Sequence, residues 1–192
     1  MKYPEYVEIE GKRYKINTDF RVALRCNEIA TDNTIGDYER ALGVIYTLFG
    51  EEGINSQEHY EKLLELAKKY LLCGNSQVEE DEEPDMDYIE DMDYIEASFM
   101  SDYHIDLSEI KMHWWKFNKL INGLSNSELG NCCVLNRIRN LRNYDTKDIK
   151  DTKEKRKIEE AKERFALKKN RKVATKEQEE NAKDLLRDLG LL

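Results

Sequence analysis

The alternation of apolar and polar residues near the start of the chain predicts a short β-hairpin. Between Tyr6 and Ile16 the pattern alternates around Glu10-Gly11, with Val7 and Ile9 on one face of the first arm. A Glu-Gly pair between two alternating arms favours a tight turn. Since an isolated hairpin is only marginally stable in water, we expect this one to pack against other elements.

Most of the remaining chain repeats apolar residues at helical spacing. Asn17 or Thr18 is a candidate N-cap for the first helix, and Gly50 is a candidate C-terminal stop for the second. Capping boxes favour helix starts at Asn55, Ser125 and Thr175. We predict helices over about 19–29, 37–49, 55–74, 107–122, 125–139, 147–172 and 175–190, with one further helix that carries Ile95, Phe99 and Met100.

A duplicated hexapeptide follows an acidic stretch in the middle of the chain. Met86–Asp91 is copied almost exactly in Met92–Ala97, which indicates a local duplication that lengthens the start of a helix. Glu79–Pro84 combines repelling charges with a proline, which favours a solvated linker. The predicted organisation is a hairpin and three helices over 1–74, an acidic linker over 75–86, central helices over 87–144 packed with the N-terminal part as one domain, and a charged helical extension over 145–192.

The composition agrees with a helical protein. The chain has 192 residues, of which 37% are charged and 40% hydrophobic, with only two prolines and nine glycines. So few prolines and glycines favour long helices over a β-sandwich or β-barrel with many turns. The predicted fold class is mainly α: a multi-helix bundle with a short N-terminal β-hairpin and extended charged C-terminal helices.

No pattern of reactive residues predicts an enzyme, a metal site or a cofactor. The four cysteines lack the C-x-x-C spacing of a zinc site, and His104 and His113 have no third ligand nearby. Asp91 and Asp93 belong to segments that we expect at the surface, without the burial that tunes a catalytic carboxylate. Free thiols and the absence of an apolar run of about 20 residues indicate a cytoplasmic protein without a membrane partner.

The string His113-Trp114-Trp115-Lys116-Phe117 is the strongest candidate for protein binding. Aromatic side chains dominate the energetics of interfaces, which favours Trp114, Trp115 and Phe117 as a partner surface. The simpler interpretation is that one tryptophan fills the core and the other covers a neighbouring element, because consecutive residues on a helix cannot all face one side. Asp19 and Arg21 are weaker candidates, since the same residues suit a helix start.

The basic residues between Arg137 and Lys172 raise the possibility of a nucleic-acid partner. However, acidic residues are interleaved with them, and the whole chain has a net charge of −9. Alternating signs are typical of a solvated helix with i, i+4 ion pairs. The pattern therefore argues against nucleic-acid binding.

Several strings together resemble a family of small phage proteins. They are Ile16-Asn17-Thr18-Asp19-Phe20-Arg21, the segment from Asp93 to Leu107, the double-tryptophan string with Gly123-Leu124, and Arg137-x-Arg139. The resemblance runs from about Val7 to Leu167. The family is encoded close to the tape-measure gene of long-tailed phages and prophages of Gram-positive hosts.

The resemblance implies a tail assembly chaperone. Such a protein binds the long helical tape-measure protein in the host cytoplasm before the tail tube polymerises, associates with copies of itself, and is absent from the mature virion. Two alternatives remain open at this stage. One is a structural tail or connector component, and the other is a nucleic-acid-binding regulator.

Overall fold

The computed structural model describes residues 2–75, 84–127 and 132–168, and it begins with the predicted hairpin. Strand β1 (Tyr6–Ile9) pairs antiparallel with β2 (Lys12–Lys15), so that Val7 lies opposite Tyr14. The turn residues Glu10 and Gly11 both have positive φ, 51° and 82°. This conformation gives the hairpin the right-handed twist of its strands.

Helices form most of the rest, which confirms the predicted mainly α class with an N-terminal hairpin. The 3₁₀ turn Gln57–His59 precedes the third helix. Seven α-helices lie within the described residues: α1 (Phe20–Thr31), α2 (Asp37–Ile54), α3 (Tyr60–Leu71), α4 (Met92–Tyr103), α5 (Trp114–Asn122), α6 (Val134–Asn143) and α7 (Thr152–Phe165). None of these helices is long and apolar enough to cross a membrane.

The chain divides into two compact units, residues 1–137 and residues 138–192. Most of the predicted acidic linker and the whole predicted helix over 175–190 lie outside the described residues, as does Glu128 of the second capping box. The domain boundaries proposed from the sequence therefore remain predictions.

The core of the first unit forms around aromatic rings supplied by three helices. Helix α1 buries Phe20, Ala23 and Leu24, whose spacing places them on one face. Phe20 stacks on Phe117 of α5 with ring centroids 4.4 Å apart, and Phe117 stacks in turn on Phe99 of α4 at 5.4 Å. Packing of α2 against α1 and α3 completes this core.

Two of the predicted helix starts are wrong because residues distant in sequence fix the backbone there. Helix α5 begins at Trp114 and not near Leu107, since Met112 and His113 are extended and pair with the segment before α1. The helix predicted from Ser125 begins at Val134.

The capping box predicted at Asn55 does not form either. Asn55 ends α2, which continues past Gly50 through a kink where Gly50 has φ 68° and ψ −158°. Only glycine adopts this region readily. Ser56 uses its hydroxyl to donate to Glu52 O and to accept from Lys12 Nζ, so it does not cap α3.

The duplicated hexapeptide takes two different conformations. The second copy starts α4 and buries Ile95 completely, whereas the first copy is not helical and leaves Ile89 47% exposed. Asp91, expected at the surface, is only 1% exposed and accepts a hydrogen bond from Asp87 N. The duplication therefore did not lengthen the helix, because the first copy forms the turn that leads into it.

The second unit contains the end of α6 and the charged helix α7. Asp151 caps α7 by accepting from the N–H groups of Lys153 and Glu154, so the helix begins later than the predicted residue 147. Arg142 Nε donates to Phe165 O, and Lys162 Nζ donates to Tyr144 O. These bonds satisfy carbonyl groups at the ends of α7 and α6.

Candidate protein-interaction sites

The segments that precede α1 and α5 form a two-residue antiparallel bridge, with Asp19 opposite His113. Phe20 N donates to Met112 O at 2.9 Å, and Trp114 N donates to Thr18 O at 2.8 Å. Both donors are the first residues of their helices, where N–H groups have no partner within the helix. Each segment thus satisfies an N–H group at the start of the other segment's helix.

The side chains of the two N-cap residues each accept a hydrogen bond from a backbone N–H group in the first turn of their own helix. Asp19 Oδ1 accepts from Arg21 N, and His113 Nδ1 accepts from Trp115 N, both at 3.0 Å. Since His113 Nδ1 accepts, the ring proton is on Nε2, which donates to Pro4 O at 3.0 Å. Histidine is therefore held in one neutral tautomer, and it ties the residues before β1 to the start of α5.

Both tryptophans bind the C-terminal end of α3. Trp114 Nε1 donates to Leu71 O and Trp115 Nε1 donates to Tyr70 O, each at 2.9 Å. Carbonyl groups in the last turn of a helix lack intrahelical donors, so the indoles act as C-terminal caps supplied by another helix. Gly74, with φ 83°, lets the chain leave α3 beside Trp115, where an added Cβ would lie 3.2 Å from the indole.

The structure brings the five residues predicted for partner binding into the neighbourhood of this bridge. Trp114 is 2% exposed and Phe117 is fully buried, so neither offers a surface to a partner in this conformation. Trp115 is partly buried, and Asp19 is the N-cap of α1. Their partner-binding role remains a prediction, while their role in the fold is now defined.

Arg21 holds the turn that precedes α5. Its guanidinium donates to Leu107 O and to Ile110 O, and it forms an ion pair with Asp19 at 3.2 Å. The guanidinium thus has three acceptors for its planar set of donors, although the side chain is 44% exposed. Its position serves the fold directly, and it leaves few donors for another protein.

A groove that the sequence did not reveal lies between α4 and the chain around α6. It has a volume of about 750 Å³, opens to solvent, and is lined by small side chains including Ala97, Ser101 and Cys133, with Arg137 at one side. Small residues allow another backbone to approach closely. Only the assembled fold defines this groove, because its walls come from separate segments.

Asp102 organises one wall of the groove. Partial burial raises its pKa, but hydrogen bonds from the backbone N–H and the hydroxyl of Ser125 and from Ser101 lower it by more, so the pKa lies below its ordinary value. Asp102 Oδ2 accepts from Ser125 N at 2.7 Å. The carboxylate is thus an ionised anchor for the chain after α5.

The outer face of α4 continues from the groove into solvent. Asp93, Glu96, Ala97 and Met100 are exposed and spaced three and four residues apart, which places them on one helical face. Met100 is 47% exposed, the same value as Ile89 just before the helix. Met100 is the apolar residue at the C-terminal end of a face whose N-terminal end carries two carboxylates, and this makes the face a candidate contact surface.

Reactive chemistry is weak in the described part of the chain. No group of three or more potential ligands there is placed to hold a metal ion. Burial raises the pKa of the Cys26 thiol to about 12, and burial also raises that of Cys73 to about 11. Such thiols are poor nucleophiles at neutral pH.

One comparison with known proteins identifies a family. The family model described as "Bacteriophage Gp15 protein" matches residues 2–167. That range includes both segments of the bridge, the groove and the outer face of α4. No curated protein and no solved structure matches the chain.

Replacing the two tryptophans separately tests their different burial. Trp114→Ala removes a buried ring and its bond to Leu71, so we expect a loss of about 3–5 kcal/mol in the free energy of unfolding. Trp115→Ala should cost less, because its ring is partly exposed. Urea denaturation followed by circular dichroism measures both, and a larger loss for Trp115→Ala would contradict the assignment.

The ionisation of Asp102 makes the stability of the first unit depend on pH in the acidic range. Because its pKa is lowered in the folded state, its contribution is complete above its unfolded pKa and is lost as the pH falls through the folded value. Asp102→Asn should therefore flatten part of the decline in stability below about pH 4. Denaturation midpoints from pH 2.5 to 7 test this, and parallel curves for both proteins would exclude it.

Proposed function

This chain belongs to the bacteriophage Gp15 family, and from that premise we propose that it is a non-enzymatic tail assembly chaperone that binds the tape-measure protein. Family membership makes it a phage protein of the structural or morphogenetic kind. The chaperone role also accounts for an exposed apolar surface and a groove that a structural tail component would not need.

The observation that carries the proposal is an exposed apolar surface on a well-packed helical body. The outer face of α4 presents Met100 and lies next to the groove. A helix of a partner protein can place small or apolar residues into such a groove. Methionine adapts to different partner side chains, which suits repeated binding along a long and variable helix.

The surface suits weak binding repeated many times. A single contact through one groove and one helical face buries little area, so we expect low affinity for each copy. Several copies along one tape-measure chain would together cover its apolar faces. The net charge of −9 would keep the coated complex soluble before the tail tube replaces the chaperone.

The groove is better suited to binding than to catalysis. Its carboxylate, Asp102, already accepts from Ser125 N and Ser101 Oγ, and its lowered pKa keeps it ionised rather than poised for proton transfer. Arg137 is exposed on the other side of the groove. The polar groups therefore orient a bound segment, while the small side chains accommodate it.

Co-expression with the tape-measure protein of the same phage tests the proposal. We expect the tape-measure protein to become soluble and to elute with several copies of this chain in size-exclusion chromatography with light scattering. Tape-measure protein that stays as insoluble as when expressed alone would refute the chaperone role. Stoichiometric amounts of this chain in purified mature particles would instead favour a structural tail or connector component.

A further inference from the structure

The two units of the chain have opposite charge. Residues 1–137 contain 28 Asp and Glu against 14 Lys and Arg, a formal net charge of −14, whereas residues 138–192 contain 12 against 17, a net charge of +5. Opposite potentials on separate surfaces attract across a solvent gap of about one Debye length. This asymmetry identifies another copy of the same chain as an electrostatically matched partner.

On the first unit, the outer face of α4 carries an exposed apolar residue and two carboxylates that form no ion pair in the described part of the chain. Asp93 and Glu96 belong to none of the ion pairs in the described part of the chain, and neither has a further interaction there. Met100 lies one turn beyond Glu96 on the same face. The face therefore combines carboxylates at its N-terminal end with an apolar side chain at its C-terminal end.

On the second unit, α7 presents a matching basic face. Lys153, Arg156, Lys157 and Arg164 are all exposed, and their spacing places them on one side of the helix. The partly buried residues Ile158, Ala161 and Phe165 occupy the other side. Two exposed acidic residues, Glu160 and Glu163, lie on the same side, so the four basic residues leave a formal net charge of +2 there. Arg156 Nε donates to Glu160 at 2.7 Å.

We propose that the α4 face of one copy binds the basic α7 face of a second copy, head to tail. Lysine and arginine can lay their methylene stems across Met100 while their charged groups reach Asp93 and Glu96. The contact joins two different surfaces, so a dimer retains one free α4 face and one free α7 face, and further copies can add. In such an array the α4 face is covered by the next copy, so the tape-measure protein is bound through the groove beside that face. The contact between copies does not itself require the tape-measure protein.

The strength of this contact should depend on salt. Exposed ion pairs are individually weak and are screened by electrolyte. We expect association of the purified full chain at about 50 mM NaCl and dissociation near 500 mM, where the Debye length is only a few ångströms. Sedimentation velocity over a range of protein concentrations measures both states.

A matched pair of charge reversals locates the acidic surface. Asp93→Lys with Glu96→Lys should weaken association at least tenfold. The control reverses Glu61 and Glu65 to lysine on α3; these residues are also exposed and unpaired, and Glu61, like Asp93, lies in the first turn of its helix. Both variants change the net charge equally, so equal effects would show that only total charge matters and would overturn the proposal.

A mixing experiment tests the direction of the contact and remains decisive if one variant is slightly unstable. Lys153→Glu with Lys157→Glu should likewise weaken association at least tenfold when this variant is alone. Mixing it with the Asp93→Lys, Glu96→Lys variant should restore association, because a basic α4 face then meets an acidic α7 face. A mixture that remains monomeric, or a wild-type chain that is monomeric at low salt, would overturn the inference without affecting the chaperone proposal.

Discussion

The first unit depends on the backbone bridge between Asp19 and His113. Its two hydrogen bonds satisfy the first N–H groups of α1 and α5, which begin far apart in the sequence. The bridge also sets the positions of Phe20 and Phe117, whose rings stack at the centre of the core. Because unpaired N–H groups at buried helix starts are costly, loss of the bridge would expose both helices and the core contact together.

The bridge explains why the strings that resemble the phage family occur together. Asp19-Phe20-Arg21 and His113-Trp114-Trp115 form opposite sides of one assembly, in which Arg21 holds the turn before α5 and the two indoles bind the end of α3. These residues define the fold of the first unit. The surface that we propose for partner binding is a different one, the outer face of α4 with the groove beside it.

Local sequence patterns were sufficient to predict the elements whose conformation depends mainly on neighbouring residues. The hairpin follows from Glu10-Gly11 and flanking alternation, and α1 follows from the spacing of Phe20, Ala23 and Leu24. The start of α5 could not be predicted, because Met112 and His113 are extended only through pairing with a distant segment. Ile89 and Ile95 show the same limit most clearly. They occupy equivalent positions in the two hexapeptide copies, yet Ile89 is exposed and Ile95 is buried. The sequence pattern alone therefore could not show which copy would pack into the core.

Native-state hydrogen exchange of the Phe20 and Trp114 amides tests the central role of the bridge most directly. If the bridge opens only when the first unit unfolds, both amides exchange with the free energy of global unfolding and match the slowest amides of α2. If both amides instead exchange as fast as those of exposed loops while α2 stays protected, the bridge opens locally. That result would contradict the account, because the fold would then persist without the bridge.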